Sequence, residues 1–442
     1  MRFLLALLLV CSLGCGVAFS EPVELAGQLV DLLVAHDFAG VTSHFDAQMA
    51  EFLPVDGLTA LWIGLETDFG PLQEKGEVTT AQQDGITGVR FKSLFERSMV
   101  RISFFFTSDE KVAGLMLQPG EEPLPWETPA YVDESKFREE EVIVGTGKWQ
   151  LPGTLTLPVG EGPFSAVVLV QGSGPHDRDE TIGPNKPFKD LAWGLACRGI
   201  AVLRYDKRTY CCAGRIIGDV ERTLTVKEET VDDALLAVAL LRTRPELDAK
   251  RLFVLGHSLG GMLVPRIGLQ DGAIRGFIVM AGVDRPLEDA ITAQNKYLTE
   301  LDGTVDEAEK QSLAAIADIV AEIKSPELKP DARQPLFSNY APYWLDLRDY
   351  QPAESAKALK RPVLVLQGGR DWQVSQEEFN RWKTALEGNK GFAARLYPSL
   401  NHLFLPGEGP SSLEEYDIPG NIPEEVIADI ANWIGELPAL EE

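Results

Sequence analysis

At 442 residues, 45% of them hydrophobic, the chain is long enough to bury more than one core, and two domains are expected. A formal net charge of −26 repels phosphate backbones and anionic bilayer surfaces, which argues against nucleic acid as a partner. No basic cluster, metal-type Cys/His spacing or internal repeat is present, so no metal and no cofactor is called for.

The chain opens with Arg2 and an apolar run from Phe3 to Val10, then small residues ending in Ala18-Phe19-Ser20 before Glu21. This is the form of a secretory signal peptide with an A-x-S cleavage site. The run is short for a bilayer and no other segment is long enough to span one. Residues 1–20 are therefore expected to be removed and the mature chain to be extracytoplasmic, secreted or periplasmic. Cys15 after Gly14 suggests lipid attachment, but Ser12 stands where a lipoprotein signal has Leu, which weakens that alternative. Cys197, Cys211 and Cys212 then remain, so at most one internal disulfide can form; small buried hydrophobes are the competing assignment.

From Glu24 to Phe38 the residues Leu25, Leu29, Leu32 and Leu33 recur at helical spacing, and a second helical stretch surrounds Ala60 to Leu65. Ile86 to Phe95, Met99 to Thr107 and Lys111 to Leu117 read as strands joined by polar turns. Residues 21–118 are thus a small α+β domain. Its arrangement resembles the cystatin-like and NTF2-like modules that precede some bacterial secreted hydrolases, which implies a binding or spacing role. His36 and His44 fall on or near helical faces here and are expected to pack or sit at the surface, not to ligate.

Residues 119–137, rich in proline and acid, have the profile of a stiff linker. Beyond it short apolar runs alternate with helical patterns, the sequence form of a mostly parallel sheet with helices on both faces. The runs are Ala166 to Val170, Ile200 to Tyr205, Leu252 to Leu255, Phe277 to Met280, Val363 to Leu366 and Ala394 to Tyr397. Helical segments include Phe188 to Cys197, Val231 to Arg242 and Gln376 to Leu386, and a leading hairpin pairs Glu140 to Val144 with Gly153 to Leu157. The stretch from about 285 to 350 is helical throughout and is expected to cap the sheet.

Within this domain Gly256-His257-Ser258-Leu259-Gly260 places a G-x-S-x-G motif directly after a buried strand and before a helix. That context marks a nucleophile elbow, in which the glycines clear the sharp turn and the serine hydroxyl stands above the sheet. Residues 138–442 are accordingly expected to adopt the α/β-hydrolase fold. Pro265 should kink the following helix or cut its first segment short. Triad partners follow the elbow in the order acid, His, and of five histidines only His402 lies downstream; it sits just after the last strand. Asp371, after the strand Val363 to Leu366 and a Gly-rich turn, is the acid that would orient the imidazole. Asp346, Asp349 and Asp417 are rivals less well placed, the first two in the cap and the third beyond the histidine. The oxyanion donors are expected to be the backbone N–H of Leu259 and that of Ser173 in Gln171-Gly172-Ser173-Gly174-Pro175, with Gly172 as the neighbouring alternative. His176 is a candidate pocket residue. Arg204, Asp206, Lys207 and Arg208 are expected to form a salt-linked loop.

The run from Gln171 to Glu180, then Gly183-Pro184-Asn185-Lys186-Pro187-Phe188, then Arg204-Tyr205-Asp206-Lys207-Arg208, together with the elbow, resembles the EstD-type bacterial carboxylesterases. The resemblance spans most of residues 138 to 442. It implies hydrolysis of short acyl esters, with Ser258, Asp371 and His402 at the matching positions and a small-molecule ester as substrate. Gln171 stands where many relatives have His, and Cys211-Cys212 is a second departure. A peptidase or acyltransferase could use the same triad, and a non-catalytic binding module would have no need of all three residues.

Overall fold

The computed structural model describes residues 20–83, 85–119, 126–212, 216, 222–332 and 340–440. The expected signal peptide falls outside them up to residue 19, as do residues 120–125 of the expected linker and 333–339 of the expected cap. The chain divides into two compact units, residues 2–122 and 123–442.

In the first unit the helix Ser20–Val34 buries Ala26, Leu29, Val30 and Leu33, one helical face, and the helix Val55–Phe69 contributes Leu58, Trp62 and Leu65. Strands β1 (Leu72–Gln83), β2 (Ile86–Phe95), β3 (Met99–Phe106) and β4 (Val112–Pro119) form an antiparallel meander in that order. Alternate residues Val89, Phe91 and Phe95 of β2 face the helices, and Trp62 meets Phe95 edge-on at 5.8 Å. Strand β1 was not anticipated. Its sequence is mostly polar and exposed, and it forms by pairing along β2 at the sheet edge instead of by burying a face. His36 lies 2.8 Å from Glu66 at the surface of this unit.

The second unit holds β5 (Phe137–Val144), β6 (Leu151–Pro158), β7 (Phe164–Val170), β8 (Ile200–Tyr205), β9 (Leu247–His257), β10 (Gly276–Met280), β11 (Val363–Gly368) and β12 (Ala393–Tyr397). Their order is β12-β11-β10-β9-β7-β8-β6-β5, with β7 to β12 parallel and the leading hairpin antiparallel, as an α/β-hydrolase sheet requires. The central strands are apolar without interruption because both faces are covered. Ala166, Val168, Val170, Leu252 and Val254 face one core with the helices Asp233–Arg242, Leu259–Gln270 and Gln376–Leu386. Val167, Leu169, Phe253 and Leu255 face the other, with Pro187–Ala196 and Glu424–Glu436. The chain runs outward from β7 to β8 and returns to β9 on the opposite side of β7, so the strand order reverses between β7 and β9. Loops leaving the carboxyl ends of those two strands diverge there, which opens the crevice where such sheets bind ligands.

Several expectations are corrected. The helix Leu259–Gln270 runs through Pro265 in one piece, so its first segment is not cut short there. Residues 126–137, expected to be linker, belong to the second unit: the Trp126 ring sits edge-on to Trp193 at 5.2 Å and the Tyr131 hydroxyl donates to Ile422 O at 2.9 Å. The second unit therefore starts upstream of residue 138, because two aromatics in a proline-rich stretch anchor it. A π-helical turn, Lys227–Asp232, precedes the helix Asp233–Arg242 and turns Glu229 and Thr230 inward. Cys197, Cys211 and Cys212 are free thiols, with the two adjacent sulfurs 3.2 Å apart. The stretch expected to cap the sheet contains the helices Leu287–Glu300, Glu307–Lys324 and Ala341–Leu347.

Candidate active site

Ser258 follows β9 with φ +54° and ψ −115°, a strained conformation for a residue with a side chain. Its N–H donates to Met280 O at 3.0 Å and its carbonyl accepts from Met262 N–H at 2.9 Å, which hold the turn between β10 and the helix behind it. A Cβ at Gly260 would run into the Val170 carbonyl, so the helix can approach β7 only without one. The serine is half-buried while its neighbours His257 and Leu259 are buried, leaving the hydroxyl accessible above a helix N-terminus. A side chain begun at Gly172 would lie 3.1 Å from Ser258 Cβ, so the loop after β7 passes directly over Ser258.

His402, after β12, is buried, and its Nδ1 lies 2.8 Å from Asp371 Oδ2 on the loop after β11. Nδ1–H therefore donates to the carboxylate, which leaves Nε2 unprotonated in the neutral ring. Asp371 is held by three further donors: the N–H groups of Gln373 at 2.8 Å and Val374 at 2.9 Å, and Gln367 Nε2 at 2.9 Å. Asn401 braces the histidine loop, its Oδ1 accepting the N–H of Leu403 and of Leu405 at 3.0 Å each. The Ser258 hydroxyl makes no hydrogen bond among the described residues. The structure thus joins His402 to Asp371 and sets Ser258 under the Gly172 loop. The rival Asp346 instead pairs with Arg266 at 3.0 Å, and Asp349 is exposed.

Sequence reasoning missed what lies behind Ser258. His257 is buried with Nδ1 2.9 Å from Glu180 Oε2 and Nε2 3.0 Å from His402 O. Nε2 faces the His402 carbonyl, while Nδ1 approaches the Glu180 carboxylate at ion-pair distance without hydrogen-bond alignment. Burial alone would lower its pKa, but the Glu180 carboxylate outweighs burial and holds the imidazole above its ordinary value. Burial would likewise raise Glu180, yet His257 and its other donors hold it below the usual carboxylate range. Glu180 Oε1 accepts the Gly172 N–H at 2.6 Å. That removes Gly172 from the candidate oxyanion donors.

The remaining polar groups of the loop are also assigned. His176 Nε2 lies 2.6 Å from Ser173 O, and burial holds this ring below its ordinary pKa. Lys207 Nζ donates to Gly172 O at 2.8 Å and Gly174 O at 3.0 Å. Among the described residues nothing accepts the N–H of Ser173 or of Gly174, and Leu259, as the first residue of its helix, has an N–H with no intrahelical partner. These N–H groups, on the loop that passes over Ser258 and on the residue that follows it, are without an acceptor among the described residues. The flanking charges form the expected salt-linked loop: Arg204 with Glu139 and Asp179, Arg178 with Asp206 at 3.0 Å, Arg208 with Asp233. Gln171 donates to Tyr205 O and packs inside the sheet edge. No cluster of three or more His, Cys, Asp or Glu side chains among the described residues is disposed to hold a metal ion, and none of the described helices is long and apolar enough to cross a membrane.

A half-buried serine on a strained turn, an imidazole hydrogen-bonded to a buried carboxylate, and N–H groups without acceptors beside the serine are the kinds of part that acyl transfer needs. Comparison with known proteins agrees in kind. The family described as serine aminopeptidase, S33, matches residues 166–408, and a family of proteins of unknown function (DUF3887) matches residues 26–115. Esterase EstD of Thermotoga maritima is 37% identical over 409 residues, covering 92% of this chain and 93% of that protein. Among solved structures, an esterase of Pyrococcus furiosus is 15% identical with a TM-score of 0.43, over 72% of this chain and 99% of that one. A hyperthermophilic esterase of Pyrobaculum calidifontis is 15% identical with a TM-score of 0.44, over 69% and 87%.

Proposed function

Because the chain belongs to the serine aminopeptidase S33 family of α/β-hydrolases, and within it to the EstD-type esterases, we propose that this serine hydrolase is an exported carboxylesterase of short acyl esters. Ser258 is its nucleophile, His402 its base and Asp371 the group that orients the base. The observation that carries this reading is the buried His402–Asp371 hydrogen bond of 2.8 Å, formed between the loops after β12 and β11, on the same side of the sheet as the strained Ser258 turn.

Ser258 Oγ attacks the ester carbonyl carbon as His402 Nε2 takes its proton, and the imidazolium is stabilised by Asp371. The tetrahedral oxyanion accepts the N–H of Leu259 and of Ser173, donors worth a factor of about 100 to 1,000 each in turnover. The imidazolium then protonates the leaving alcohol. Water, activated by the same imidazole, attacks the acyl-enzyme and releases the acid. The export half of the reading rests on the composition of residues 1–20 and is checked by mass spectrometry of the protein from its native host, which should begin at Glu21.

The deciding experiment combines p-nitrophenyl esters of increasing chain length with a serine-directed phosphonate. Acetate and butyrate esters should turn over fastest, the phosphonate should label Ser258 stoichiometrically, and Ser258→Ala should abolish both. Esterase turnover at the wild-type level in well-folded Ser258→Ala would falsify the mechanism. Cleavage of aminoacyl amides in preference to esters would move the enzyme to the peptidases.

A further inference from the structure

Lys207 is the most deeply buried ammonium in the described structure, at 1% exposure. Such a charge is costly unless paired and fully hydrogen-bonded. Its counter-ion is Glu229, with Oε1 3.5 Å from Nζ, delivered by the π-helical turn and itself accepting from Thr209 Oγ1 at 2.9 Å and Tyr343 OH at 3.2 Å. Yet the shorter contacts of Lys207 go elsewhere, at 2.8 Å to Gly172 O and 3.0 Å to Gly174 O. Two of three ammonium donors are thus spent on one tripeptide over the nucleophile.

We propose, on the premise of the esterase reading above, that Lys207 is a positioning residue for the oxyanion hole. The peptide plane is trans, so a carbonyl and the N–H of the next residue point in opposite directions. Anchoring Gly172 O on Lys207 therefore turns the Ser173 N–H to the opposite side of the loop. Glu180, on the Gly172 N–H, and His176, on the Ser173 carbonyl, fix the two adjoining planes. Lys207 holds the plane between them. It touches neither substrate nor reacting atoms. Its effect falls on the transition state, because the ester carbonyl needs the aimed N–H only as charge develops on oxygen.

The test compares Lys207→Met and Lys207→Gln with the wild type in kcat, KM, melting temperature and inhibition by an alkyl boronic acid, which forms a tetrahedral anion on the serine, and by the product carboxylate. In Lys207→Met kcat should fall roughly 10- to 100-fold with KM within about threefold. The boronate inhibition constant should rise by the same factor while that of the product stays put. Lys207→Gln, which keeps one N–H for the Gly172 carbonyl, should recover part of the loss. Unchanged kcat, or equal weakening of boronate and product, would overturn the proposal. So would failure of both variants to fold, which would assign Lys207 to the core alone. If the wild type itself hydrolyses no ester and Ser258 resists the phosphonate, the esterase reading fails instead; Ser258-dependent turnover that ignores Lys207 sinks only this proposal.

Discussion

Replacing Glu180 by glutamine should strip the charge from a buried pair and change how stability depends on pH. Glu180 and His257 are 1% and 4% exposed, and among the described residues the carboxylate oxygen paired with the His257 ring is Glu180 Oε2 at 2.9 Å. The glutamine can still accept the Gly172 N–H, so the loss is confined to the pair. Breaking a buried pair from one side costs about 3 to 5 kcal/mol, because the partner is left charged and unpaired. For a unit of this size the melting temperature should drop on the order of 10 °C near pH 6. The sign at each end follows from the shifts. Glu180 is held below its ordinary value, so its contribution is complete above the unfolded pKa of about 4.3 and is lost as pH falls through the folded value. His257 is held above its ordinary value, so its contribution is complete below the unfolded pKa of about 6.5 and is lost as pH rises through the folded value. The wild type should therefore gain most over the variant between about pH 4.3 and 6.5, and the two curves should converge on either side. Urea unfolding of both proteins from pH 3 to 9 measures this. Parallel curves, or a difference under about 1 kcal/mol at pH 6, would show that the pair is not ionised.

Asp371→Asn should leave the fold intact but lower kcat by roughly 10,000-fold, since the amide favours the wrong imidazole tautomer; a loss below tenfold would remove Asp371 from the mechanism. The Cys211 thiol is pushed up by its hydrogen bond with Cys212 and by burial, so iodoacetamide at pH 8 should spare Cys211 in the native protein and modify it only after unfolding. Peptide mapping that finds Cys211 alkylated while the protein is fully active would contradict this. A fragment of residues 123–442 should fold, whereas one starting at 138 should be less stable by several kcal/mol, having lost the buried parts of Trp126 and Tyr131. Equal denaturation midpoints for the two fragments would rule that contribution out.

Pattern in the chain revealed those parts of the fold that bury themselves symmetrically. Strands β7, β9, β10 and β11 are apolar on both faces and stand out as short hydrophobic runs. Strand β1 was invisible for the complementary reason, since Leu72–Gln83 buries neither face and owes its form to backbone pairing with β2. The π-helical turn was hidden too, because insertion of one residue into a helix leaves the apolar count of Lys227–Asp232 unchanged. Trp126 and Tyr131 lay among prolines whose linker-like composition outweighed two aromatic anchors.

The candidate site divides along the same line. Ser258, His402 and Asp371 could be picked out of the chain as candidates because each follows a strand at a turn whose chemistry is local, and because histidine is scarce here. Glu180, His257 and Lys207 could not, since each is a polar residue whose meaning depends on a partner supplied by a different loop. In the structure they connect what periodicity cannot. His257 reaches the His402 carbonyl on one side and Glu180 on the other; Glu180 holds the Gly172 N–H, and Lys207 holds the Gly172 carbonyl. The loops after β7, β8 and β12 and the end of β9 are thereby cross-linked beside Ser258 by groups too buried to exchange their partners for water. The hydrogen bonds of this network are those to Gly172 and to the His402 carbonyl, and an ion pair joins His257 to Glu180. Loss of one charge should therefore disturb the Ser173 N–H, the elbow and the histidine loop together, and variants at Glu180 and Lys207 should be non-additive in kcat.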